Sequence, residues 1–525
     1  MAVTVVEQNY TELEACDNSS DWTGLNPDDV TDFYKYGSQC VGFELWSSGN
    51  NDTYVSGSFD LSGTVHLRAW VMMTVLNELD SDANGGIQFY AYDGSNTGYW
   101  KVSGSDTYPG GWYNLVVDLS RAVDSGTKPS MSAVTRIGFR FVLTTGAKKT
   151  QSLWIDHVCL CDGLAVYGDD GGGYFDFDDI FSADDSTSVA TGTIRKISGT
   201  YYLTGELVFG DSAGTNGCKF QAKSQVVIFE DRPVNSALYG FDIVDNGTGT
   251  TEFILGDKVG SAGVQGCAIR TQSDAQSAKF YVDGKTDTDV DNFKLYGTTF
   301  FDGGLIYFAA DATNVEVVNC SFESCLQVDP QDCDVSFCYF INTSDADAAL
   351  LWNESISITN CYFIGNTSGA GVEMPSAVGT PYTYTNLVFS GNTYDVLNSS
   401  GSSITIYKEG TADPTSYEGS SVTFQASVTI TITVKDEDGV VVQNAQTAIY
   451  ATDDDSELMN EDTNASGIAT EPYVGSTPRE VRVWIRKASG GATKYKNYSS
   501  VQEIDSNGLT LSVTLLEDPN NNATT

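Results

Sequence analysis

The segment VEVVNCSF, residues 315–322, is one copy of a pattern that returns along the middle of the chain. In each copy, alternating apolar residues lead to a short polar corner, and a second short apolar run follows it. Aligned copies occupy residues 293–300, 333–340, 356–363 and 382–389, and equivalent positions are separated by 22, 18, 23 and 26 residues. One strand–corner–strand core in every ~20–25 residues predicts a β-solenoid whose turns vary in length.

Two residue types mark the corner of these repeats. Asn319 and Asn360 fall where the chain must turn, because Asn tolerates the left-handed backbone conformation and its amides can form a ladder. Cys320, Cys338 and Cys361 occupy the next position and are expected to face the interior as a stack of thiols. Residues 191–418 resemble a right-handed parallel β-helix, a fold whose successive rungs lie about 4.8 Å apart.

The charge of the chain limits its partners. Its 525 residues include 70 Asp plus Glu against 27 Lys plus Arg, which gives a formal net charge of −43. Such a surface repels phosphate backbones and anionic lipid headgroups, so we expect neither nucleic-acid binding nor membrane insertion. The sequence shows no run of about 18 apolar residues and no basic-then-apolar leader, so neither a membrane span nor a signal peptide is predicted.

Residues 1–165 contain evenly spaced, alternating strands that predict a β-sandwich. Segments 111–119, 137–141 and 153–158 resemble the closing strands of carbohydrate-binding jelly rolls. The resemblance implies that aromatic side chains stack on glycans, and the candidates are Tyr90, Tyr92 and Trp100; packing within the sheet is the alternative. It also places Asp156 where some such modules hold a structural calcium ion, a cation that carboxylates bind well.

The remaining segments complete an all-β chain with an N-terminal jelly-roll sandwich, a central right-handed parallel β-helix and a C-terminal Ig-like β-sandwich. Residues 166–190 are rich in Gly and Asp and are interpreted as a linker. Residues 419–516 carry the order V-x-D-x-x-G, N-A, T-x-x-S-G-I-A and an alternating strand. That order resembles carboxypeptidase-regulatory-like and bacterial Ig-like sandwiches. Residues 517–525 are expected to form a polar tail.

Catalysis is not expected. The chain has two histidines, His66 and His157, both on predicted strands, and its eleven cysteines include no CxxC pair. A Ser/His/Asp site and a zinc site are therefore disfavoured. Carboxylates are abundant in the repeats, but residues 291–407 contain Lys294 and no Arg, which disfavours lyase chemistry. No cofactor is predicted apart from the structural calcium ion.

Taken together, the three folded regions resemble surface appendages of tailed bacteriophages. The resemblance implies a non-enzymatic virion protein, such as a spike, fibre or decoration knob, that contacts other capsid or tail proteins and binds host-surface glycans. It also implies a homotrimer on the virion surface. Two alternatives remain open at this point: a polysaccharide depolymerase built on the same β-helix, and a bacterial surface adhesin exported by another route.

Overall fold

Alternating apolar and polar residues form strands along most of the chain in the computed structural model. The structure describes residues 3–45, 48–106, 108–144, 149–168, 173–183, 191–210, 217–230, 240–244, 250–259, 263–271, 279–282, 290–304, 306–308, 314–331, 333–352, 356–377, 382–475, 477–487 and 493–519. The predicted all-β fold class is confirmed, with two sandwiches and a parallel β-helix. Contacts divide the chain into two compact units, Met1–Ser357 with Cys361–Met374 and Ser390–Tyr394, and Ile358–Asn360 with Pro375–Phe389 and Asp395–Thr525.

The N-terminal sandwich has a back sheet and a front sheet. The back sheet contains, in spatial order, Gly111–Asp118, His66–Met73, Lys149–Leu160, Cys40–Leu45 and Asp28–Val30, with Thr11–Glu14 also beside Lys149–Leu160. The front sheet contains Ser125–Gly126, Thr97–Ser103, Ile87–Tyr92, Val134–Leu143, Gly49–Phe59 and Trp22–Thr23. Short 3-10 helices occur at Ser19–Asp21, Leu76–Glu78, Asp82–Asn84 and Met131–Ala133. Inward side chains of the two sheets, including the fully buried Phe43, Phe89 and Phe141, form one apolar core.

The described residues of the β-helix form three long sheets, and successive coils contribute strands to each. The first sheet contains Cys218–Ala222, Thr251–Leu255, Val290–Tyr296, Val315–Val318, Val335–Ser336, Ile358–Thr359, Tyr382–Thr385, Ile404–Glu409 and Val422–Ala426. The second contains Ile194–Ile197, Thr200–Leu203, Val226–Phe229, Ala268–Thr271, Thr299–Phe301, Ser321–Glu323, Tyr339–Ile341, Tyr362–Ile364 and Val388–Ser390. The third contains Thr4–Gln8, Gly163–Tyr167, Glu206–Phe209, Gly240–Ile243, Lys279–Val282, Ile306–Tyr307, Val328–Asp329, Ala348–Leu351, Ala370–Met374, Tyr394–Asn398 and Tyr417–Gly419. A two-stranded hairpin, Lys258–Val259 with Gly263–Val264, projects from one turn.

Pairing between coils is parallel and follows the sequence repeat. Ser321 lies opposite Tyr339, and Tyr339 lies opposite Tyr362. Inside the stack, Phe322, Phe340 and Phe363 form a ladder with ring centroids 5.0 and 4.9 Å apart. Because identical positions of successive repeats meet, the alternation of the sequence alone determines which side chains fill the interior.

At the corner between the first and second sheets, one residue has a left-handed backbone conformation in every described repeat from residue 297 onward. Asn319 has φ 57° and Asn360 has φ 54°, and the Asn386 amide donates to the Asn360 side-chain oxygen over 2.9 Å. A second amide ladder, not predicted from the sequence, lies at another corner, where the Asn366 amide donates to Asn392 Oδ1 over 2.9 Å. Both ladders satisfy polar groups that coil stacking would otherwise leave without partners.

The three predicted ladder cysteines lie inside this stack. Cys320, Cys338 and Cys361 have no exposed surface. The Cys320 backbone N–H donates to Cys338 Sγ over 3.4 Å, and the Cys338 N–H donates to Cys361 Sγ over 3.5 Å. Burial raises the pKa of the Cys338 thiol well above its usual range, so the thiol stays neutral and unreactive.

The segment interpreted as a linker, 166–190, is part of the solenoid where the structure describes it. Strand Gly163–Tyr167 is a rung of the third sheet, and Phe177–Ala183 is an α-helix. Phe177 is fully buried and packs its ring 4.9 Å from Phe220 and 5.4 Å from Tyr201. This helix caps the β-helix, because Phe177 and Ile180 cover the apolar end of the stack while its charged side chains face solvent. The acidic composition of the segment therefore gave no sign of a packed element. Apart from Thr4–Gln8, the described solenoid strands extend from 163 to 426 rather than from 191 to 418.

Where the structure describes it, the C-terminal sandwich has seven strands in two sheets. One contains Ile468–Tyr473, Val428–Asp436 and Leu509–Leu515, and the other contains Glu457–Asp462, Gln446–Ala451, Arg479–Arg486 and Tyr498–Ile504. Fully buried Ile430, Ile449 and Val483 belong to its core. Its strands begin at Val428 because the preceding strand, Val422–Ala426, pairs with the β-helix. Of the predicted polar tail 517–525, residues 520–525 lie outside the described residues.

Candidate functional site

A row of tyrosines crosses the outer face of the front sheet. Tyr90 lies opposite Tyr99 on one side and opposite Gly138 on the other, and Gly138 lies opposite Tyr54. The Tyr90 and Tyr99 ring centroids are 5.5 Å apart. A β-carbon at Gly138 would lie 2.2 Å from the Thr53 carbonyl oxygen, so this position has no room for a side chain. Gly138 therefore keeps the centre of the row open between Tyr90 and Tyr54.

Arg140 holds the next position along this face. Its guanidinium donates two hydrogen bonds to Asp52, at 2.7 and 2.8 Å, and a third to the Tyr99 hydroxyl at 3.1 Å. It also lies 4.2 Å from the centroid of the Tyr99 ring. The bond to Asp52 raises the pKa of Arg140, which fixes a permanent cation beside the tyrosines.

Arg136 connects the row to Tyr92. Its guanidinium lies 5.0 Å from the Tyr54 ring centroid and 5.2 Å from that of Tyr92. The Tyr92 hydroxyl donates to the Gly94 carbonyl over 2.6 Å, which fixes the ring orientation. Tyr92 and Tyr54 are half-buried and Arg136 is exposed, so all three present surface to solvent.

The arrangement suits a sugar chain. Aromatic rings offer apolar faces to the C–H groups of a pyranose, while the guanidiniums, the Asp52 carboxylate and the phenol hydroxyls donate or accept hydrogen bonds at the ring edges. Tyr90 is only 7% exposed, so it forms the floor of the face rather than a contact platform. Its burial, with the nearby Asp52 charge, raises the pKa of Tyr90 and keeps the phenol neutral.

Of the three predicted stacking residues, Tyr92 presents surface on this face, Tyr90 forms its floor, and Trp100 is on the opposite side of the sheet. Trp100 has no exposed surface and packs in the sandwich core with its ring 5.7 Å from Phe89, its partner across the sheet. Period-2 alternation therefore turns Tyr99, rather than Trp100, to the face that holds Tyr90 and Tyr92. Four other residues of this face were not predicted from the sequence: Asp52, Tyr54, Arg136 and Arg140. The available signal was Gly138 between two arginines in an otherwise apolar strand.

Asp156 occupies a different environment from the one predicted. It lies on the back sheet with no exposed surface, and Oδ2 accepts the backbone N–H groups of Lys35 and Tyr36 at 2.6 and 2.8 Å. Burial raises the pKa of Asp156 to about 6 in spite of these bonds. Among the described residues, no group of three or more His, Cys, Asp or Glu side chains could hold a metal ion. Through its two bonds to Lys35 and Tyr36, Asp156 anchors the 31–37 loop over the back sheet.

Three solved structures with low similarity to the chain contain carbohydrate-binding modules. A family 11 module of a cellulosomal cellulase from Clostridium thermocellum is 15% identical, with TM-score 0.20, covering 29% of this chain and 94% of that one. A carbohydrate-binding module of the β-sandwich superfamily is 11% identical, with TM-score 0.19, covering 30% and 56%. The CBM22-1–GH10 modules of xylanase 10B from C. thermocellum are 10% identical, with TM-score 0.18, covering 50% and 46%.

Neither a family model nor a curated protein matches the sequence. Within the described residues, none of the helices has the length and apolar character needed to cross a bilayer.

Proposed function

We propose that the chain is a glycan-binding protein whose binding face is the outer surface of the front sheet. The observation that supports this most directly is the row Tyr54, Gly138, Tyr90 and Tyr99 across four neighbouring strands, with Arg140 beside it. The rings and the charged groups sit on strands of a packed sandwich, so little side-chain freedom is lost when a ligand binds.

Affinity electrophoresis of the full-length protein in gels containing soluble β-glucan, xylan or mannan tests this function. At least one of these polysaccharides should retard the protein. Tyr99→Ala and Arg140→Gln should each weaken retardation at least about tenfold, because each removes a contact at the centre of the face. Tyr34→Ala is the matched control, since Tyr34 is 45% exposed outside this face. Unaltered retardation of the Tyr99 and Arg140 variants would refute the assignment.

We also propose that the chain acts as a non-enzymatic surface protein of a tailed-bacteriophage virion and assembles as a homotrimer. The homotrimer is supported by an outward-facing aromatic pair on the β-helix that could form the contact between chains: the stacked Tyr339 and Tyr362 rings lie 4.7 Å apart, Tyr339 is 41% exposed and Tyr362 is half-buried. Light scattering should then give three times the 56.4 kDa chain mass. Antibody labelling should locate the chain on purified virions, and incubation with host polysaccharide should release no reducing ends.

A further inference from the structure

The outer face of the four-stranded sheet in the C-terminal sandwich carries an uncovered tryptophan. Trp484 is 50% exposed although it lies on a central strand of that sheet. Its partners across the sheet are Ala448 and Ser499, both too small to cover an indole. Sequence alternation requires an outward residue at this position, but it does not require the largest apolar one.

Polar side chains surround this ring. A shallow cavity of about 350 Å³ is lined by Trp484 together with Gln446, Tyr450, Arg486 and Asn497. Two of these groups are neutral amides that both donate and accept hydrogen bonds. An apolar platform with amides at its edge is suited to a ring that has one apolar face and hydroxyl groups around its rim, as a pyranose has.

Arg486 lacks the carboxylate partner that the other two arginines of its strand have. On the same strand, Arg479 pairs with Asp453 and Asp454, and Arg482 pairs with Asp455. Arg486 instead donates from Nε to the Gln446 side-chain oxygen over 2.7 Å, and it forms no ion pair with any described carboxylate.

Carboxylates of this face lie apart from Arg486. Glu480 and Glu503 are opposite each other near the other end of strand Arg479–Arg486, six residues before Arg486. Glu457 and Asp462 are on strand Glu457–Asp462, which is separated from Arg486 by strand Gln446–Ala451. In a chain with 70 acidic residues, an exposed arginine held in place by an amide provides a local site of complementary charge for an anion.

We propose that this face is a second, separate glycan site that takes an acidic sugar. The pyranose ring packs on the Trp484 indole, its carboxylate pairs with Arg486, and its hydroxyl groups bond to Gln446 and Asn497. Arginine suits this role because its planar guanidinium pairs with a carboxylate through two parallel hydrogen bonds. The site shares no residue with the tyrosine face of the front sheet, so it goes beyond the function proposed above.

Calorimetric titration of the full-length protein with two disaccharides tests the site. One probe contains glucuronic acid, and the other has glucose in its place. At low salt the acidic disaccharide should bind about tenfold more tightly, and added salt should reduce this preference. Arg486→Gln should abolish the preference while leaving the neutral probe within about twofold. Trp484→Ala should weaken both probes at least about tenfold.

Val440→Ala serves as the control, since Val440 is 59% exposed outside the cavity. Thermal unfolding of the Trp484 variant should match the parent, because the ring is exposed. A preference that survives Arg486→Gln would overturn the proposal, as would binding of an acidic peptide, but of neither sugar, with the same Trp484 dependence. Tyr99→Ala should leave the preference intact; its loss there would assign acidic binding to the front sheet instead.

Discussion

At the scale of single residues, Phe337 stands out from its repeat. It occupies the left-handed corner position that Asn319 and Asn360 occupy in the neighbouring coils, with φ 57°, and its ring is 51% exposed. In this conformation the β-carbon of most L-residues crowds the backbone, whereas Asn is tolerated. The ring gains little burial in return, so this corner of the β-helix is strained.

Phe337→Asn is expected to increase the free energy of unfolding of the β-helix by about 1 kcal/mol, because it relieves the backbone strain. Denaturant unfolding followed by circular dichroism measures the change. Phe337→Ala is the control, since alanine removes the ring but lacks the side-chain amide through which asparagine stabilises this conformation. An equal gain from alanine would show that the exposed ring, and not the backbone, is the source of the strain.

Asp156 provides a second residue-scale prediction, in which pH is the variable. Burial raises the pKa of Asp156 to about 6, above the usual value of about 3.8 for the unfolded chain. Between these values the folded state holds the proton more tightly, so the contribution of Asp156 to stability decreases as pH rises from about 4 to 6.

Asp156→Asn keeps an oxygen acceptor for the Lys35 and Tyr36 N–H groups but cannot ionise. Relative to the parent, this variant should therefore gain stability as pH rises from about 4 to 7, by up to about 3 kcal/mol. Urea unfolding of both proteins at each pH measures the difference, in which the titration of the other carboxylates cancels. A difference independent of pH would contradict the burial of an ionisable Asp156.

At the scale of elements, the helix Phe177–Ala183 closes one end of the β-helix. A solenoid exposes apolar side chains at its terminal coil, and the buried Phe177 and Ile180 cover them here. The Phe177 ring packs edge-on against Phe220 and lies parallel to Phe241, 5.9 Å away. This helix thus covers the first coil, so that the apolar core of the β-helix is closed at that end.

Phe177→Ala should lower the free energy of unfolding by about 3–5 kcal/mol, because it leaves a cavity among aromatic rings. Binding of a hydrophobic dye should increase as the end of the stack opens. Ser182→Ala on the same helix is exposed and should change stability by less than about 0.5 kcal/mol. A small effect at Phe177 would mean that the end of the stack is covered without this helix.

Some of these elements could be predicted from the sequence, and others could not. The repeat at Cys320, Cys338 and Cys361 could be predicted from the sequence because equivalent positions of successive coils lie next to each other in the stack. Trp100 was misassigned because its face depends on pairing with the strand of Phe89, and alternation alone does not fix that register. The cap was hidden because its two buried residues lie among aspartates. The anchoring role of Asp156 depends on a loop more than a hundred residues away in the sequence.

At the scale of the whole molecule, Arg68 joins the N-terminal sandwich to the β-helix. It extends from the back sheet and is fully buried. Its Nε donates to the Cys161 carbonyl and Nη1 to the Thr204 hydroxyl, both over 2.7 Å, and Nη2 donates to the Thr204 carbonyl. Burial, followed by the Arg68 charge, lowers the pKa of the adjacent His66 to about 4, so His66 is neutral at pH 7.

Arg68→Met preserves side-chain length but leaves two buried carbonyl oxygens without these donors. We expect a loss of about 3 kcal/mol in unfolding free energy and faster proteolysis between the sandwich and the β-helix. Lys223→Met is the control, because Lys223 forms a surface ion pair with Asp257, which contributes less than about 1 kcal/mol. Cooperative unfolding of both regions with an unchanged midpoint would show that Arg68 does not couple them.

The first strand of the chain, Thr4–Gln8, pairs antiparallel with Gly163–Tyr167 in the β-helix, and Gln8 lies directly opposite Gly163. The entire N-terminal sandwich is therefore an insertion within a single β-hairpin of the solenoid. A turn of two residues would be enough to connect Gln8 to Gly163, because antiparallel strands of a hairpin can be joined by so short a loop. Because both ends of the sandwich meet at one hairpin, a different domain whose termini lie equally close together could occupy its place while the coils keep their register.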